Sequence, residues 1–292
     1  MLMLDTAYYF AALGIIEVLL IKTINRTSSQ SWRETFVSTV GMIGESLISK
    51  IPYAIILPIS NQIYSHRLFT IDGETPISFL IAFLLADFIY YLRHALEHKV
   101  RWLWVTHSVH HNSSQISIAA GYRRSLVRNL NGGFIFVFPF IFIGVDPKAL
   151  KILFTISGLY QVFVHTEWIP KFKPLEWVFN TPSAHRVHHA SNPIYIDKNH
   201  GGILLIWDHI FGTYQEELKS EPCIYGLTKP IDGGNFWQVQ TEAWFGLFRD
   251  LKSANNAREV LGYLFLAPGW SPKKADEKNS ALGTLIQSTE SS

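Results

Sequence analysis

The sequence predicts an all-α integral membrane bundle, with about four or five membrane-embedded helices and a histidine-rich cap on the cytoplasmic side. Three observations predict it. The composition is too poor in charge for a wholly soluble chain, several apolar runs match the thickness of a bilayer, and the histidines gather in helically spaced boxes just outside those runs. Of 292 residues, 48% are hydrophobic, 14% aromatic and only 16% charged, against roughly 25% charged in an average soluble domain. Mean hydropathy is positive, at +0.14, which also excludes disorder over most of the length. The single cysteine, Cys223, excludes a disulfide framework, a thiolate zinc site and an iron–sulfur cluster. A net charge of +2 is too small to imply nucleic acid.

A membrane helix needs about 20 apolar residues. The first run covers residues 4–24 and is interrupted only by Asp5 and Glu17. Without a basic leader or a small-residue cleavage site it reads as an anchor rather than a signal peptide. The second, residues 36–59, is weakened by Glu45, Lys50, Pro52 and Pro58, and the third, residues 77–92, is strongly apolar but contains Asp87. A fourth region, residues 134–164, is broken at Asp146-Pro147-Lys148, which predicts a hairpin entering or crossing the bilayer. After Asn192 the chain is polar and loop-rich, with a late apolar patch at residues 260–268 and a solvated tail from Ser271. The histidine-bearing loops carry Lys99, Arg101, Arg123, Arg124, Arg128, Lys171, Lys173, Arg186 and Lys198, whereas the loop between the second and third runs offers Arg67 against Asp72 and Glu74. The positive-inside tendency then puts the histidines on the cytoplasmic side. The aromatic excess, including Trp102, Trp104, Trp168 and Trp177, reads as interfacial belts.

Twelve histidines include three boxes: His94-Ala-Leu-Glu-His98, His107-Ser-Val-His110-His111 and His185-Arg-Val-His188-His189. At this histidine frequency an HxxHH pattern should arise by chance about 0.02 times; it occurs twice. Residues three or four apart share a helix face, so HxxxH aims two imidazoles at one point, and His107, His110 and His111 aim at a shared centre. Eight imidazoles exceed the needs of one ion, which predicts a di-metal cap, and an all-nitrogen set suits iron, zinc, copper or manganese. Solvated histidines contacting lipid phosphates would not keep helical spacing three times. His165, followed by Glu167, is a candidate ninth ligand, and His66 lies on the opposite side. Asp87, two turns before His94, is a candidate to hold the back of a ligand imidazole, its alternative being a packing carboxylate paired with a tyrosine or arginine. Glu97, inside the first box, is a second such candidate. No catalytic side chain outside the metal centre is singled out.

On these boxes the chain resembles the fatty acid hydroxylase and sterol desaturase superfamily of membrane di-iron oxygenases. Within it, the segments Val164-His165-Thr166-Glu167, Asn180-Thr181-Pro182-Ser183, Asp197-Lys198-Asn199, Trp207-Asp208, Phe211-Gly212-Thr213, Tyr225 to Ile231 and Pro268-Gly269-Trp270-Ser271-Pro272 resemble the alkylglycerol monooxygenase branch. The resemblance implies metal ligands at His94, His98, His107, His110, His111, His185, His188 and His189, with His165 added. His200 and His209 depart from the branch pattern and are not counted. It implies two iron ions (Fe2+), O2, a membrane lipid substrate and an external electron donor: a tetrahydrobiopterin, a ferredoxin or a cytochrome. No dinucleotide fingerprint is present to supply electrons internally. The expected organisation is N-terminal membrane helices (1–74), a fatty acid hydroxylase/sterol desaturase-like catalytic domain (75–215) and a cytoplasmic C-terminal segment and tail (216–292). The expected location is the cell membrane of a bacterium or the endoplasmic reticulum of a eukaryote.

The expected reaction is O2-dependent oxidation of a lipid C–H bond, first of all hydroxylation and cleavage of alkylglycerol ethers. Sterol desaturation or fatty acid hydroxylation is the alternative within the superfamily. From another class, a histidine-lined metal transporter or metal-binding protein would place its site near the bilayer midplane, whereas these histidines lie outside the apolar runs. A zinc hydrolase fits less well, because HExxH is absent and eight histidines exceed the three ligands plus water of a catalytic zinc.

Overall fold

The computed structural model describes residues 12–17, 19 and 32–273. The expected first apolar run therefore lies mostly outside the described residues. Its Glu17 is described: the carboxylate is buried and accepts the Ile118 N–H at 2.8 Å. Among the described residues the only β-pairing is three isolated bridges, and the helical class is as expected.

Helix α1 (Trp32–Ile48) and α2 (Lys50–Ser65) form one apolar unit bent by 47°. The bend has a local cause. Pro52 has no N–H for the Ile48 carbonyl four residues back, and its ring crowds that turn. Glu45, which weakened this run in sequence, is buried and accepts from Asn129 while lying 3.8 Å from Arg124. Thr75 accepts the Ser78 N–H and Pro76 occupies the first turn, starting α3 (Pro76–Lys99). At 24 residues α3 is long and apolar enough to cross a bilayer, and only 39% of its most apolar window is buried inside the molecule. A soluble core helix would hide that surface; here Ile77, Phe79, Leu80 and Ile81 are bare, as are Ile51 and Ile55 of α2.

The chain turns at Val100 directly into α4 (Arg101–His111), and a single turn, α5 (Ile118–Gly121), follows. The predicted hairpin consists of a short 3-10 turn running into α6 (Phe138–Ile143), and of α7 (Pro147–Val164), whose first turn is capped by Asp146. Its tip does not stop midway. Leu68, Phe69 and Ile71 donate their N–H groups to the carbonyls of Phe142, Ile143 and Gly144, so the tip reaches the α2–α3 loop at the end remote from the histidines. Gly144 has φ of 137°, and a Cβ there would collide with the Phe69 carbonyl; only glycine fits. Ala82, Ala86 and Ile89 of α3 pack on Ile141, Val145, Leu150 and Leu153 of the hairpin, the alanines allowing close approach.

At the histidine end lie α8 (Pro182–His189), capped by Thr181, and α9 (Ile206–Phe211). Two amphipathic helices, α10 (Phe236–Lys252) and α11 (Ala257–Phe265), start at Asn235 and Asn256 caps. Val37, Val109 and Val239 join α1, α4 and α10. Several of the loop cations are engaged inside the protein: Arg123 with Glu34, Arg124 with Glu45 and Arg186 with Glu217. Two of the tryptophans read as interfacial have partners inside the protein. Trp102 donates to the Asn131 carbonyl and packs edge-on to Trp244, while Trp104 lies against the rings of His98 and His111. Both stand on the short helix α4, beside the histidines and α10.

Candidate metal centre

The last turns of α3 bring up His94 and His98; α4 carries His107, His110 and His111; the C-cap of α7 is His165; and α8 carries His185, His188 and His189. These nine imidazoles assemble into two groups whose nitrogens lie within 4.8 Å of one another: His94, His98, His107, His111 and His188 in the first, and His110, His165, His185 and His189 in the second. The expectation that one HxxHH box serves one centre is therefore corrected. In each box the i and i+4 imidazoles go to one group and the i+3 imidazole to the other. At about 100° of helical rotation per residue, i and i+4 are about 40° apart while i+3 and i+4 diverge by about 100°. α4 gives its pair to the first group and α8 gives its pair to the second.

Outer acceptors hold the proton on the far side of several rings. His94 Nδ1–H donates to the His200 carbonyl at 2.8 Å, His188 Nδ1–H to the Lys198 carbonyl at 2.9 Å and His165 Nδ1–H to the Gln161 carbonyl at 2.5 Å. His107 Nδ1 lies 3.2 Å from the Glu97 carboxylate, which also lies 3.7 Å from Arg93. A neutral imidazole with Nδ1 protonated carries a lone pair on Nε2. His94 and His107 thus face each other Nε2 to Nε2 at 3.1 Å with no proton between them. In the second group His165 Nε2 lies 3.0 Å from His185, 3.0 Å from His189 and 3.3 Å from His110, and one lone pair cannot satisfy three partners. Nε2 of His98 and of His188 is wholly buried without a partner. Converging, unprotonated, buried nitrogens call for a cation, so the residues present fit two metal ions.

Burial, reinforced by neighbouring imidazoles, pushes His107, His110, His111, His185, His188 and His189 well below the ordinary histidine value, and burial takes His165 down to about 4. The folded protein therefore favours neutral imidazoles, whereas the unfolded chain binds protons below about pH 6.5. Stability is fully present above that value and falls as the pH drops toward 4. Asp208 runs the other way, because burial raises it to about 6, but it is one group against many. The thermal midpoint of the metal-free protein should be flat above pH 7 and decline steadily between pH 6.5 and 4, with metal release in the same window; an acid-independent midpoint would contradict this.

Asp87 is placed differently from its expected role. Its carboxylate accepts the N–H groups of Ile203 (2.9 Å) and Leu204 (3.2 Å) and the Trp207 indole N–H (2.9 Å), and no imidazole is among these partners. Seven residues of helix amount to about 10.5 Å of rise, so the shared face with His94 does not give contact. Glu97 is the carboxylate that meets an imidazole. Glu97→Gln should weaken metal binding about 10–100-fold, the usual effect of losing such a partner, measured by chelator competition, with helical content unchanged.

A loop the sequence reading left without a role supplies much of the support. Asp197 and Asn199 both take φ of 57°, which Asp and Asn tolerate better than other side chains. That backbone aims the Lys198 and His200 carbonyls at His188 and His94, and places the Asp197 carboxylate 3.5 Å from His98 Nδ1. Asn199 locks the loop by donating to the Ala184 and Gln215 carbonyls, and Asp208 accepts the N–H groups of His200 and Gly201. The paired Asp and Asn before His-Gly-Gly were the available signal. A surface cavity of about 320 Å³ lined by Lys173, Glu176, Trp177, His209, Tyr214, Gln215 and Glu216 contains none of the nine imidazoles. His209 stacks there on Trp177 and lies 2.9 Å from the Glu176 carbonyl.

Residues 79–213, which carry every one of the nine histidines, match the fatty acid hydroxylase family. This domain belongs to that family. The chain is 35% identical over 210 residues to alkylglycerol monooxygenase of Xenopus tropicalis, covering 72% of this chain and 46% of that protein. It is 35% identical over 237 residues to the Homo sapiens alkylglycerol monooxygenase (80% and 52%) and 37% identical over 194 residues to the Danio rerio one (66% and 43%). The chain thus spans about half the length of these curated relatives. No solved structure matches it.

Proposed function

We propose that this chain is a membrane di-iron oxygenase that uses O2 to oxidise a lipid C–H bond, and that its first substrate class is the alkylglycerol ether lipids. The observation that carries the reading is the pair of converging imidazole groups at one end of a set of bare apolar helices. His94, His98, His107, His111 and His188 would hold one iron, and His110, His165, His185 and His189 the other. Bound iron would supply the redox chemistry: activation of O2 with two electrons from an outside donor, a reduced pterin or an electron-transfer protein.

The chain's own contribution is to position and to exclude. The carbonyls of residues 161, 198 and 200 and the Glu97 carboxylate orient the imidazoles and fix which nitrogen carries the proton, while burial keeps the rings neutral. The Trp104 ring closes one side of the first group. The bare faces of α2, α3 and α7 would sit in lipid, with the histidines at the cytoplasmic boundary that the loop charges favour. A long-chain lipid would then present its polar end to the metals without leaving the membrane. Hydroxylation beside the ether oxygen consumes O2, two electrons and two protons, yields water and a hemiacetal, and the hemiacetal collapses to a fatty aldehyde and glycerol. The alkylglycerol substrate is supported by the three alkylglycerol monooxygenase relatives above.

The test is incubation of the iron-loaded protein with reductant, O2 and a panel of alkylglycerols, sterols and fatty acyl lipids, with products read by mass spectrometry. A fatty aldehyde from alkylglycerol is expected. A stable alcohol or a new double bond in another lipid would move the substrate, and no O2-dependent product from any lipid would reject the oxygenase reading.

A further inference from the structure

One more histidine stands at the first group. We propose that His200 is a tenth imidazole donor, its Nδ1 completing a six-nitrogen shell with His94, His98, His107, His111 and His188, so that the two metal positions are chemically unequal. The inference rests on the two-metal reading above and revises the exclusion of His200 drawn from the sequence.

Three observations carry it. The first is placement: His200 is 0% exposed, and its backbone is fixed because the N–H groups of His200 and Gly201 each donate at 2.8 Å to Asp208. The second is proximity. Its ring centroid lies 4.9 Å from that of His98 and 5.7 Å from those of His94 and His188. Neighbouring rings within the five-histidine group are 4.4 Å (His94–His188) to 5.3 Å (His94–His98) apart. One of the three spacings falls inside that range and two exceed it by a few tenths of an ångström. The third is the lone pair. Nε2 of His200 lies 3.2 Å from the Asp197 carbonyl, which assigns the proton to Nε2 and leaves Nδ1 unprotonated. That Nδ1 is wholly buried without a partner, the same condition as Nε2 of His98 and His188. Buried polar atoms in folded proteins are almost always satisfied, and here the nearest chemistry able to satisfy three such lone pairs at once is a single cation.

The consequence is asymmetry. Six imidazoles close an octahedral ion, whereas the four of His110, His165, His185 and His189 leave positions free for a further ligand, the difference that separates supporting from reactive metal sites. The second group would then be where a small molecule reaches metal.

The test uses the full chain in detergent, loaded anaerobically with 57Fe(II), and reads metal content, chelator competition and Mössbauer spectra. The wild type should bind two irons per chain and show two distinct ferrous doublets. H200F should alter one doublet only and weaken one iron by about 10–100-fold, and added imidazole should restore the wild-type spectrum to H200A. Identical spectra and affinities in wild type and H200F overturn His200 as a donor while the two-metal reading stands. Two indistinguishable doublets in the wild type also overturn the asymmetry, without any variant having to fold. A wild type that binds no iron overturns both.

Discussion

Replacing His107 with alanine should lower O2-dependent lipid oxidation by at least about 100-fold and reduce the metal bound per chain, while the protein still inserts into membranes. Its Nε2 is 3.1 Å from that of His94 and 3.1 Å from that of His111, so it is the nitrogen that joins α3 to α4 within the first group. Removing it also strips Glu97, 1% exposed, of the imidazole beside it and leaves Arg93 at 3.7 Å as its ion-pair partner. Losing an outer partner of a ligand costs about 10–100-fold, and losing the ligand together with that support should exceed it. His189→Ala should do the same through the second group, where His189 Nε2 meets His165 Nε2. His209→Lys is the control, since His209 lines the separate surface cavity. The measurements are product formation from alkylglycerol and metal per chain. Full activity in both alanine variants would reject the two-group assignment.

Arg123→Met should destabilise the fold by about 3–5 kcal/mol, the range for breaking a buried ion pair from one side. Arg123 is 1% exposed; its guanidinium donates to the Gly233 carbonyl at 2.5 Å and lies 3.8 Å from the Glu34 carboxylate, which also accepts the hydroxyls of Ser113 and Ser114. One cation thus ties the start of α1, the segment after the second histidine box and the turn before α10. Without it the buried Glu34 keeps only the two hydroxyls. A loss of that size lowers the thermal midpoint by roughly 10 °C in a chain this long, read by thermal unfolding in detergent. Arg33→Met, at the solvent-exposed pair with Asp232, should leave the midpoint essentially where it was, because solvent screens such pairs. Equal shifts in the two variants would contradict this account.

Much was legible in the residues alone. Helical class, the hairpin broken at Asp146-Pro147 and the eight histidines of the three boxes all follow from local rules, because apolar length, proline chemistry and i, i+4 spacing act within a few residues of chain. The histidine boxes name a metal-type site for the same reason: one turn of helix is enough to aim two imidazoles together.

Tertiary structure alone decided the rest. Helix geometry turns His110 and His188 away from their own boxes, but which group each joins depends on how α4 and α8 face each other, which no spacing within either box encodes. Asp87 shares a face with His94, yet its carboxylate is taken by Ile203, Leu204 and Trp207, more than a hundred residues away in sequence. The groups that hold the imidazoles are mostly backbone carbonyls of residues 161, 198 and 200, and a carbonyl is the same in every residue, so its role is invisible until the chain has folded. His200 looked like a departure from a pattern, and burial against three rings is what gives it a candidate role. Local spacing specifies which side chains carry the chemistry; the long-range packing that aims them arises only when segments distant in sequence share one low-dielectric interior.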